Sequence, residues 1–366
     1  MRAAFATVRV ALLFSSAGFG AAPLFSQPHA DYFYQRRVYG SEAIFHPFLW
    51  VINSGFFTLQ IDNRANKVFK IQYAAGGKNV LWNLRHPVRA LNKYGWKNFI
   101  TAELIPTSLK KEKAQWAPNY FGHLLGGGIA YRKNLAWYRA QRCAHPVRAA
   151  LLTQAASSLL NEIVENNGYR GVNVDPLADL LIFEPLGILL FGLGKVENYC
   201  GENLDVAYWP MQPALDPFSG ALENAGHGFV FKYKPRYSGR VGIFYYFGIQ
   251  GMAGLSYQAA AGRSFSLALG VAAKYLQPVD AEAEARSLTA TLARVAGFFY
   301  DQNNSLLFSC LVSPETRYKV RLNFYPGVVR FRGLSPGFSL AFRENREIVM
   351  SLNFGLLPLG LAASSP

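Results

Sequence analysis

Glu162 and Glu165 are the side chains whose types and spacing best fit chemistry. They lie three residues apart in the apolar segment LLNEIVENNG, so on a helix they share one face. His123 can reach this face from the preceding predicted helix. A histidine beside two carboxylates can transfer protons or form part of a metal site. The spacing therefore makes His123, Glu162 and Glu165 the candidate catalytic residues.

A structural role is the alternative for the same two glutamates. A buried charge must be paired, and Arg132, Arg148 and Arg170 lie in the same part of the chain. We therefore predict that Glu162 and Glu165 pair with arginine in a helical core, with water exposure as a further possibility. Proton transfer remains the second hypothesis. We assign no cofactor and no metal ligand.

Three predicted helices position these groups between residues 116 and 200. The first, PNYFGHLLGGGIAYRKNLAWYRAQ, repeats small residues every four positions at Gly122, Gly126 and Ala130. Such a strip lets another backbone approach closely. The second begins at Pro146, a good first helical residue, and ends at Gly168, a good C-cap. The two helices can therefore bring His123 to the glutamates.

The third predicted helix is DPLADLLIFEPLGILLFGLG. Asp175 is expected to cap it, and Asp179 to lie in its positively polarised first turns. About 18 apolar residues are long enough to span a bilayer, but Asp179, Glu184 and Pro185 interrupt this run. The pattern therefore predicts the core of a compact three-helix unit, either in the periplasm or as a plug.

Composition and the N-terminus indicate the environment of the chain. The net charge is +15, yet only 16% of residues are charged, against about 25% in soluble domains. The opening MRAAFATVRVALLFSSAGFGAA is typical of a secretory signal peptide covering residues 1–22. No Lys/Arg run interleaves with aromatics, which argues against nucleic-acid binding. The positive charge instead fits anionic lipid headgroups or lipopolysaccharide phosphates.

Residues 201–366 alternate with period two. In SFSLALGVAAKYL, one row contains Phe265, Leu267 and Leu269, whereas small residues form the other. Repeated segments of this kind are typical of a transmembrane β-barrel, although a soluble sandwich also alternates. The segments exceed the usual five or six residues, and aromatic residues cluster at their ends. Both features favour the barrel, with its last strand ending near Leu357.

The predicted fold is therefore mainly β with a helical insert: a transmembrane antiparallel β-barrel of 8 to 12 strands plus a compact three-helix unit. We divide the chain into a signal peptide (1–22), a mixed region (23–115), the helical unit (116–200) and the barrel (201–366). In the mixed region, NSGFFTLQIDN is predicted as a strand and HPVRALNKYGW as a short helix. The chain contains no G-x-S-x-G, phosphate loop, H-E-x-x-H or Cys-x-x-Cys.

Three segments carry a resemblance: QWAPNYFGHLLGGGIAYR, LLNEIVENNGYRGVNVDPLADLLIFEPLGILLF and the upstream YAAGGKNVLWNLRHPVRALNKYGW. Over roughly residues 45–200 the chain resembles an uncharacterised family of bacterial outer-membrane proteins in which a helical segment precedes or interrupts a β-barrel. The resemblance implies an envelope location and no established reaction. Within these segments we take Asn166, Asp175, Asp179 and Tyr131 as candidate binding residues.

The main functional hypothesis is an outer-membrane barrel whose helical plug or platform binds or passes a lipid or small solute. Its expected partners are outer-membrane lipid or lipopolysaccharide, with an envelope protein as a further candidate. The alternative is a membrane-face enzyme that acts on lipid or lipopolysaccharide with His123, Glu162 and Glu165. A third possibility is that the helices only brace the barrel.

Two smaller questions concern cysteine and histidine. Cys143 and Cys200 follow the first and third predicted helices, so a disulfide is possible in an oxidising compartment, with lone thiols as the alternative. His227, in the segment ENAGHG, is predicted to be a turn residue.

Overall fold

The computed structural model describes residues 32–62, 64–106, 117–235, 237–281, 285–330, 332, 334–355 and 357–365. The predicted signal peptide, residues 1–22, lies outside the described residues.

Helices occupy most of the first half of the described chain. The α-helices are Gly40–Ile44 (α1), Pro47–Phe56 (α2), Tyr73–Arg85 (α3), Pro87–Tyr94 (α4), Trp96–Asn98 (α5), Gly127–Ala140 (α6), Pro146–Asn166 (α7), Asp175–Ala178 (α8), Glu184–Gly192 (α9) and Gly194–Asn203 (α10). Wider π-helical turns form Phe99–Leu104, Ala117–Gly126 and Asp179–Phe183. Short 3₁₀ turns form Phe57–Gln60, Val68–Lys70, Ala260–Gly262 and Glu344–Arg346. The helices predicted to begin near Pro87 and Pro146 are confirmed.

The strand predicted within residues 53–63 is wrong, because this segment completes α2 and continues as a 3₁₀ turn. Asn53 explains the helical conformation. Its amide nitrogen donates to the carbonyl oxygen of Met211 (3.0 Å), and its amide oxygen accepts from the backbone nitrogen of Gly226 (2.9 Å). Both contacts fasten the helix to the strands, and tertiary packing of this kind routinely overrides local propensity.

The second half consists of strands. They are Val172–Asn173 (β1), Ala207–Pro210 (β2), Ala214–Asp216 (β3), Ala221–Glu223 (β4), His227–Tyr233 (β5), Val241–Gly248 (β6), Gln250–Gln258 (β7), Arg263–Ala281 (β8), Ala285–Gln302 (β9), Ser305–Val312 (β10), Tyr318–Phe324 (β11), Gly337–Arg343 (β12), Ile348–Asn353 (β13) and Gly360–Ser364 (β14). The pairing order is β2-β5-β6-β7-β8-β9-β10-β11-β12-β13-β14-β3-β4, and β1 pairs with β9.

The sheet is a large curled half-barrel with thirteen described strands in its main path, β1 attached to β9 off that path, and helices beside it. The prediction of a mainly β chain with a helical part is therefore confirmed. The predicted number of strands, 8 to 12, is too small for this sheet. The sheet is also mixed, because β14 pairs with β3, and β1 with β9, in parallel. The tail predicted after Leu357 instead forms β14, which fits beside β3 through the Gly360–Ala214 pair.

The two faces of the sheet differ as the alternation in β8 predicts. Leu267 and Leu269 are 62% and 68% exposed, whereas Ser266 and Ala268 between them are each 1% exposed. Helices α1 and α2 cover the buried face, which we call the inner face. Leu49 of α2 packs there within a cluster that includes Trp209, Phe244 and Phe299. The opposite face is the outer face.

Both edge strands of the sheet are covered. In β4, the backbone nitrogen of Leu222 donates to the carbonyl oxygen of Asn66 (2.8 Å), and the side chain of Gln60 donates to the carbonyl oxygen of Leu222 (2.8 Å). All four residues of β2 are buried, and the indole of Trp209 donates to the carbonyl oxygen of Asn304 (2.8 Å). Residues of the N-terminal segments therefore hydrogen-bond to the edge strand β4, and the edge strand β2 is buried inside the protein.

The helical part extends beyond the three predicted helices. Helix α2 packs against α7, where the indole of Trp50 donates to the hydroxyl of Ser157 (2.9 Å). Helix α3 also packs on α7, and Gly76 permits this approach because a Cβ there would lie 2.5 Å from the carbonyl oxygen of Ile163. Helix α7 is thus enclosed by residues from the region 23–115 as well as from 116–200.

Among the described helices, none is by itself long and apolar enough to span a membrane. The bent pair Asp175–Gly192 and Gly194–Asn203, with 77° between its parts, meets the criteria of length and composition.

Candidate histidine–carboxylate site

His123 and Asp179 come from the π-helical turns Ala117–Gly126 and Asp179–Phe183. Glu162 projects from α7, and Glu184 begins α9. A π turn contains one residue more than an α turn and often occurs at functional sites, because it redirects side chains. The two π turns pack against each other here, so His123 and Asp179 lie side by side.

His123 lies between two carboxylates. Its Nε2 is 3.3 Å from Oδ2 of Asp179, and its Nδ1 is 3.5 Å from Oε1 of Glu184. Glu162 completes the group: one ligand atom from each of His123, Glu162 and Asp179 lies within 4.8 Å of the others. These three residues are therefore the ones that could hold a metal ion.

Polar partners on α7 fix Glu184. Its Oε1 accepts from the hydroxyl of Ser158 (2.9 Å), and its Oε2 accepts from the side-chain amide of Gln154 (2.7 Å). Ser158 and Gln154 lie four residues apart, so they occupy one face of the helix. Glu184 can therefore orient the imidazole of His123 without moving itself.

A close helix crossing permits this arrangement. A Cβ on Gly187 would lie 2.3 Å from the carbonyl oxygen of Leu124, and one on Gly128 would lie 2.7 Å from the carbonyl oxygen of Gly187. The sequence predicted a close helix approach along Gly122, Gly126 and Ala130. The approach occurs at Gly128 instead, and a Cβ on Gly122 would have no neighbour within 4 Å. The glycine pair Gly128–Gly187 brings α9 against the segment that carries His123.

Further carboxylates surround the group. Glu103 is 1% exposed and accepts from the side chain of Asn119 (3.3 Å), and Asp175 is 8% exposed. The charges of Glu103 and half-buried Glu165 act on Asp179, that of Glu165 also acts on Glu162, and all four raise the pKa of Asp175. Six of the 22 acidic residues of a chain with net charge +15 are thus gathered in one place.

The electrostatics follow from burial and crowding. Burial lowers the pKa of His123, but the charge of Asp179 and both the hydrogen bond and the charge of Glu184 raise it to about 10. Burial raises the pKa of Asp179 to about 7; His123 opposes this shift, whereas Glu103 and Glu165 add to it. Burial and the charges of Asp179 and Glu165 raise the pKa of Glu162 well above its ordinary range. The site therefore retains protons at neutral pH.

The structure brings together His123, Glu162 and Asp179, and gives Glu165 a neighbouring position. Pairing of Glu162 with Arg132 is wrong, because Arg132 forms a buried ion pair with Glu197. Asp175 does not cap its helix; its Oδ2 instead accepts from the backbone nitrogen of Leu288 in β9 (3.1 Å).

The other two candidate binding residues lie in local packing. Asn166 donates to the carbonyl oxygen of Tyr169 (3.2 Å) and accepts from the side chain of Asn173 (3.4 Å). Tyr131 is fully buried in a cluster with Leu135 and Ala150. Within the described residues, its hydroxyl has no hydrogen-bond partner.

Two other sequence interpretations change. The prediction that His227 is a turn residue is wrong: His227 begins β5, is 8% exposed and stacks on Trp50 with ring centroids 5.3 Å apart. Cys143 and Cys200 are free thiols. The alternative of lone thiols therefore holds: the possible disulfide assumed that Cys200 follows the third helix directly, whereas Cys200 lies in α10, beyond a 77° bend.

Glu184, Gln154 and Glu103 are the site residues that sequence reasoning missed. The sequence shows Glu184 as an acidic residue among leucines, but we interpreted it only as a break in an apolar run that could otherwise span a bilayer. Ser158 lies one turn before Glu162 and donates to Glu184 from that face of α7. Nothing in the spacing of Glu103 signals its approach, because it comes from a separate helical segment.

Comparison of the chain with protein-family models, with curated proteins and with solved structures found no match. The resemblance to an outer-membrane family therefore stays a prediction, and function must be argued from the geometry above.

Proposed function

We propose that this protein is an outer-membrane protein whose sheet inserts through its outer face, while the helices against the inner face form a plug-like platform that binds a lipid or a small solute. One observation carries the proposal: apolar side chains are exposed along successive strands of the outer face. They include Ile243 (53%), Leu255 (59%), Leu267 (62%), Leu269 (68%), Met350 (62%) and Leu361 (66%). We call this row the outer belt.

The outer belt needs an apolar surrounding. Soluble monomers rarely expose contiguous apolar patches larger than a few hundred Å², and neighbouring strands of this sheet each add members to the belt. Strands β8 and β9 contain 19 and 18 residues, more than the roughly 9–11 that a tilted strand needs to span a bilayer. Membrane insertion agrees with the signal-like N-terminus.

The covered edges also support the proposal. A strand edge with free N–H and C=O groups is unfavourable in hydrocarbon. Here β4 bonds to Asn66 and Gln60, and β2 is buried. The helices and the N-terminal segments therefore complete a half-barrel whose edges would otherwise be exposed to lipid. Their packing on Trp209 and Phe244 also fills the inner face, which favours binding over the passage of a solute.

The test is a charge substitution in the belt. Leu267→Arg should destabilise the bilayer-inserted protein by about 2–4 kcal/mol if residue 267 lies near the midplane. Val38→Arg is the control, because Val38 is 81% exposed but lies before the first helix. Unfolding from lipid vesicles gives the free energies, and cell fractionation gives the location. Equal tolerance of both substitutions, or recovery of the wild-type protein in the soluble fraction, would refute the proposal.

A second function is favoured by one further observation. The membrane-face enzyme hypothesis requires a histidine beside two carboxylates. His123 and Glu162 lie together as it requires, and the second carboxylate is that of Asp179 rather than Glu165. A histidine between carboxylates can transfer protons during hydrolysis of a lipid or lipopolysaccharide. Glu162→Gln should then abolish turnover of such substrates while the fold remains intact. Full turnover by the folded variant would exclude this chemistry.

A further inference from the structure

We propose that His123, Glu162 and Asp179 bind one divalent transition-metal ion, with Zn²⁺ as the reference ion. This inference goes beyond the proposed function and does not depend on where the protein resides. The three residues come from three separate helical segments, Ala117–Gly126, α7 and Asp179–Phe183. They converge inside the helical part of the fold.

The geometry is close to that of a bound ion. The three ligand atoms lie within 4.8 Å of one another. Ligands around Zn²⁺ lie about 2.0–2.2 Å from the metal, and therefore roughly 3–4 Å from each other. Binding then requires the side chains to move by less than about 1 Å. Glu162 and Asp179 are 2% and 6% exposed, so both are held by the surrounding core.

A second observation points to a ligand. Oδ1 of Asp179 is buried and accepts from no N–H or hydroxyl group within the described part of the chain, so the one group that the Asp179 carboxyl shares a proton with is the carboxyl of Glu162. A buried oxygen without a partner is costly. An ion beside Asp179 would satisfy it. The ion would take the place of the proton on His123, because a ligating imidazole is neutral, and its charge would offset the repulsion among the surrounding carboxylates.

Glu184 acts as the outer partner of the histidine. Metal-bound histidines usually donate their other ring N–H to a carboxylate or carbonyl, which fixes the tautomer and the ring orientation. With Nε2 facing Asp179, Nδ1 faces Glu184, which Ser158 and Gln154 hold in place. Glu184 is therefore a positioning residue for the metal-binding imidazole.

The ligand types select the ion. One imidazole and two carboxylates suit Zn²⁺, Fe²⁺ or Mn²⁺ better than Mg²⁺ or Ca²⁺, which prefer oxygen ligands alone. Three protein ligands leave a position open, as in catalytic rather than structural zinc sites. The side chain of His123 is 17% exposed, so the group is not wholly enclosed by the helical part.

The experiment uses the full-length mature protein, freed of metal with EDTA and titrated with ZnCl₂ against a chromophoric chelator. We expect one equivalent of Zn²⁺ to bind and excess MgCl₂ not to displace it. Asp179→Asn and Glu162→Gln should each remove this binding. Glu184→Gln should weaken it by about 10–100-fold. Glu315→Gln is the control, because Glu315 pairs with Arg294 on the sheet and takes no part in the group, and it should bind as the wild type does.

Two further measurements keep the test decisive if a variant fails to fold. Circular dichroism checks each variant, and Co²⁺ bound to the wild-type protein should give the visible bands of nitrogen and oxygen coordination. Absence of saturable Zn²⁺ binding to the wild type would overturn the proposal, as would equal loss of binding in Asp179→Asn and Glu315→Gln. Neither outcome depends on membrane insertion, so failure here is distinct from failure of the proposed function.

Discussion

The imidazole of His123 lies with Nε2 3.3 Å from Oδ2 of Asp179, and each residue comes from a π-helical turn. This contact joins the segment before α6 to the segment before α9. Glu162 approaches the same point from α7. The pair therefore marks the point where three helical segments meet.

The first prediction concerns the stability of the metal-free protein as a function of pH. The pKa of Asp179 is raised to about 7, so the folded state retains a proton between about pH 4 and 7 that the unfolded state loses. The pKa of His123 is raised to about 10, so its contribution is complete below about 6.5 and is lost as pH rises towards 10. Both effects lower the free energy of unfolding as pH increases.

Urea unfolding in EDTA between pH 5 and 9 should therefore show stability falling by on the order of 1–3 kcal/mol. Asp179→Asn should flatten this dependence, because it removes one titrating group and the main partner of the other. The same slope in the variant and the wild type would contradict the assignment.

A second prediction tests the helix crossing. Gly128→Ala places a Cβ 2.3 Å from Cδ2 of Phe191 and 2.7 Å from the carbonyl oxygen of Gly187. Overpacking of this kind should cost about 1–3 kcal/mol. Gly122→Ala is the control, because its Cβ has no neighbour within 4 Å, and alanine should be neutral or stabilising by up to about 1 kcal/mol. Thermal unfolding compares the two, and a larger loss for Gly122→Ala would be inconsistent with the crossing.

A third prediction concerns the buried pair Lys133–Glu42. Lys133 is 1% exposed, donates to the carbonyl oxygen of Phe33 (3.0 Å) and pairs with Glu42. Lys133→Met leaves Glu42 buried without its cation and should cost about 3–5 kcal/mol. The double variant Lys133→Met/Glu42→Gln should regain most of this stability. A double variant as unstable as the single one would mean that packing, not charge, sets the cost.

A fourth prediction concerns the thiols. Cys200 is 5% exposed, and burial raises its pKa to about 11, whereas Cys143 is half-buried. The thiolate is the nucleophile, so iodoacetamide should modify Cys143 well before Cys200 in the folded protein. Peptide mass spectrometry over a time course measures both rates. A Cys143–Cys200 linked peptide from a non-reducing digest would contradict the structure.

The alternation of β8 predicted which side chains are exposed, because strand geometry fixes the face of every second residue once one face is buried. It could not predict that β14 pairs in parallel with β3, since that pairing joins segments more than 140 residues apart. Residues 53–63 were mistaken for a strand because local pattern does not contain the contacts of Asn53 with Met211 and Gly226.

The site was predicted in part. Helical spacing correctly places Glu162 on a face turned towards His123, but it cannot tell a buried carboxylate cluster from a glutamate paired to arginine. That choice depends on Arg132, which pairs with Glu197 from α10. The π turns that aim His123 and Asp179 at each other also leave no simple signature in residue type.

The most direct test of membrane insertion compares adjacent residues in β8. In a variant without native cysteines, Leu267→Cys and Ala268→Cys are each labelled with an environment-sensitive fluorophore, before reconstitution into vesicles that contain nitroxide lipids. Residue 267 belongs to the outer belt, whereas residue 268 is 1% exposed on the inner face. We expect the nitroxide lipids to quench the label at 267 and aqueous iodide to leave it unaffected, with little labelling at 268. Quenching of the label at 267 by iodide, without an effect of the lipid nitroxide, would contradict insertion through the outer face.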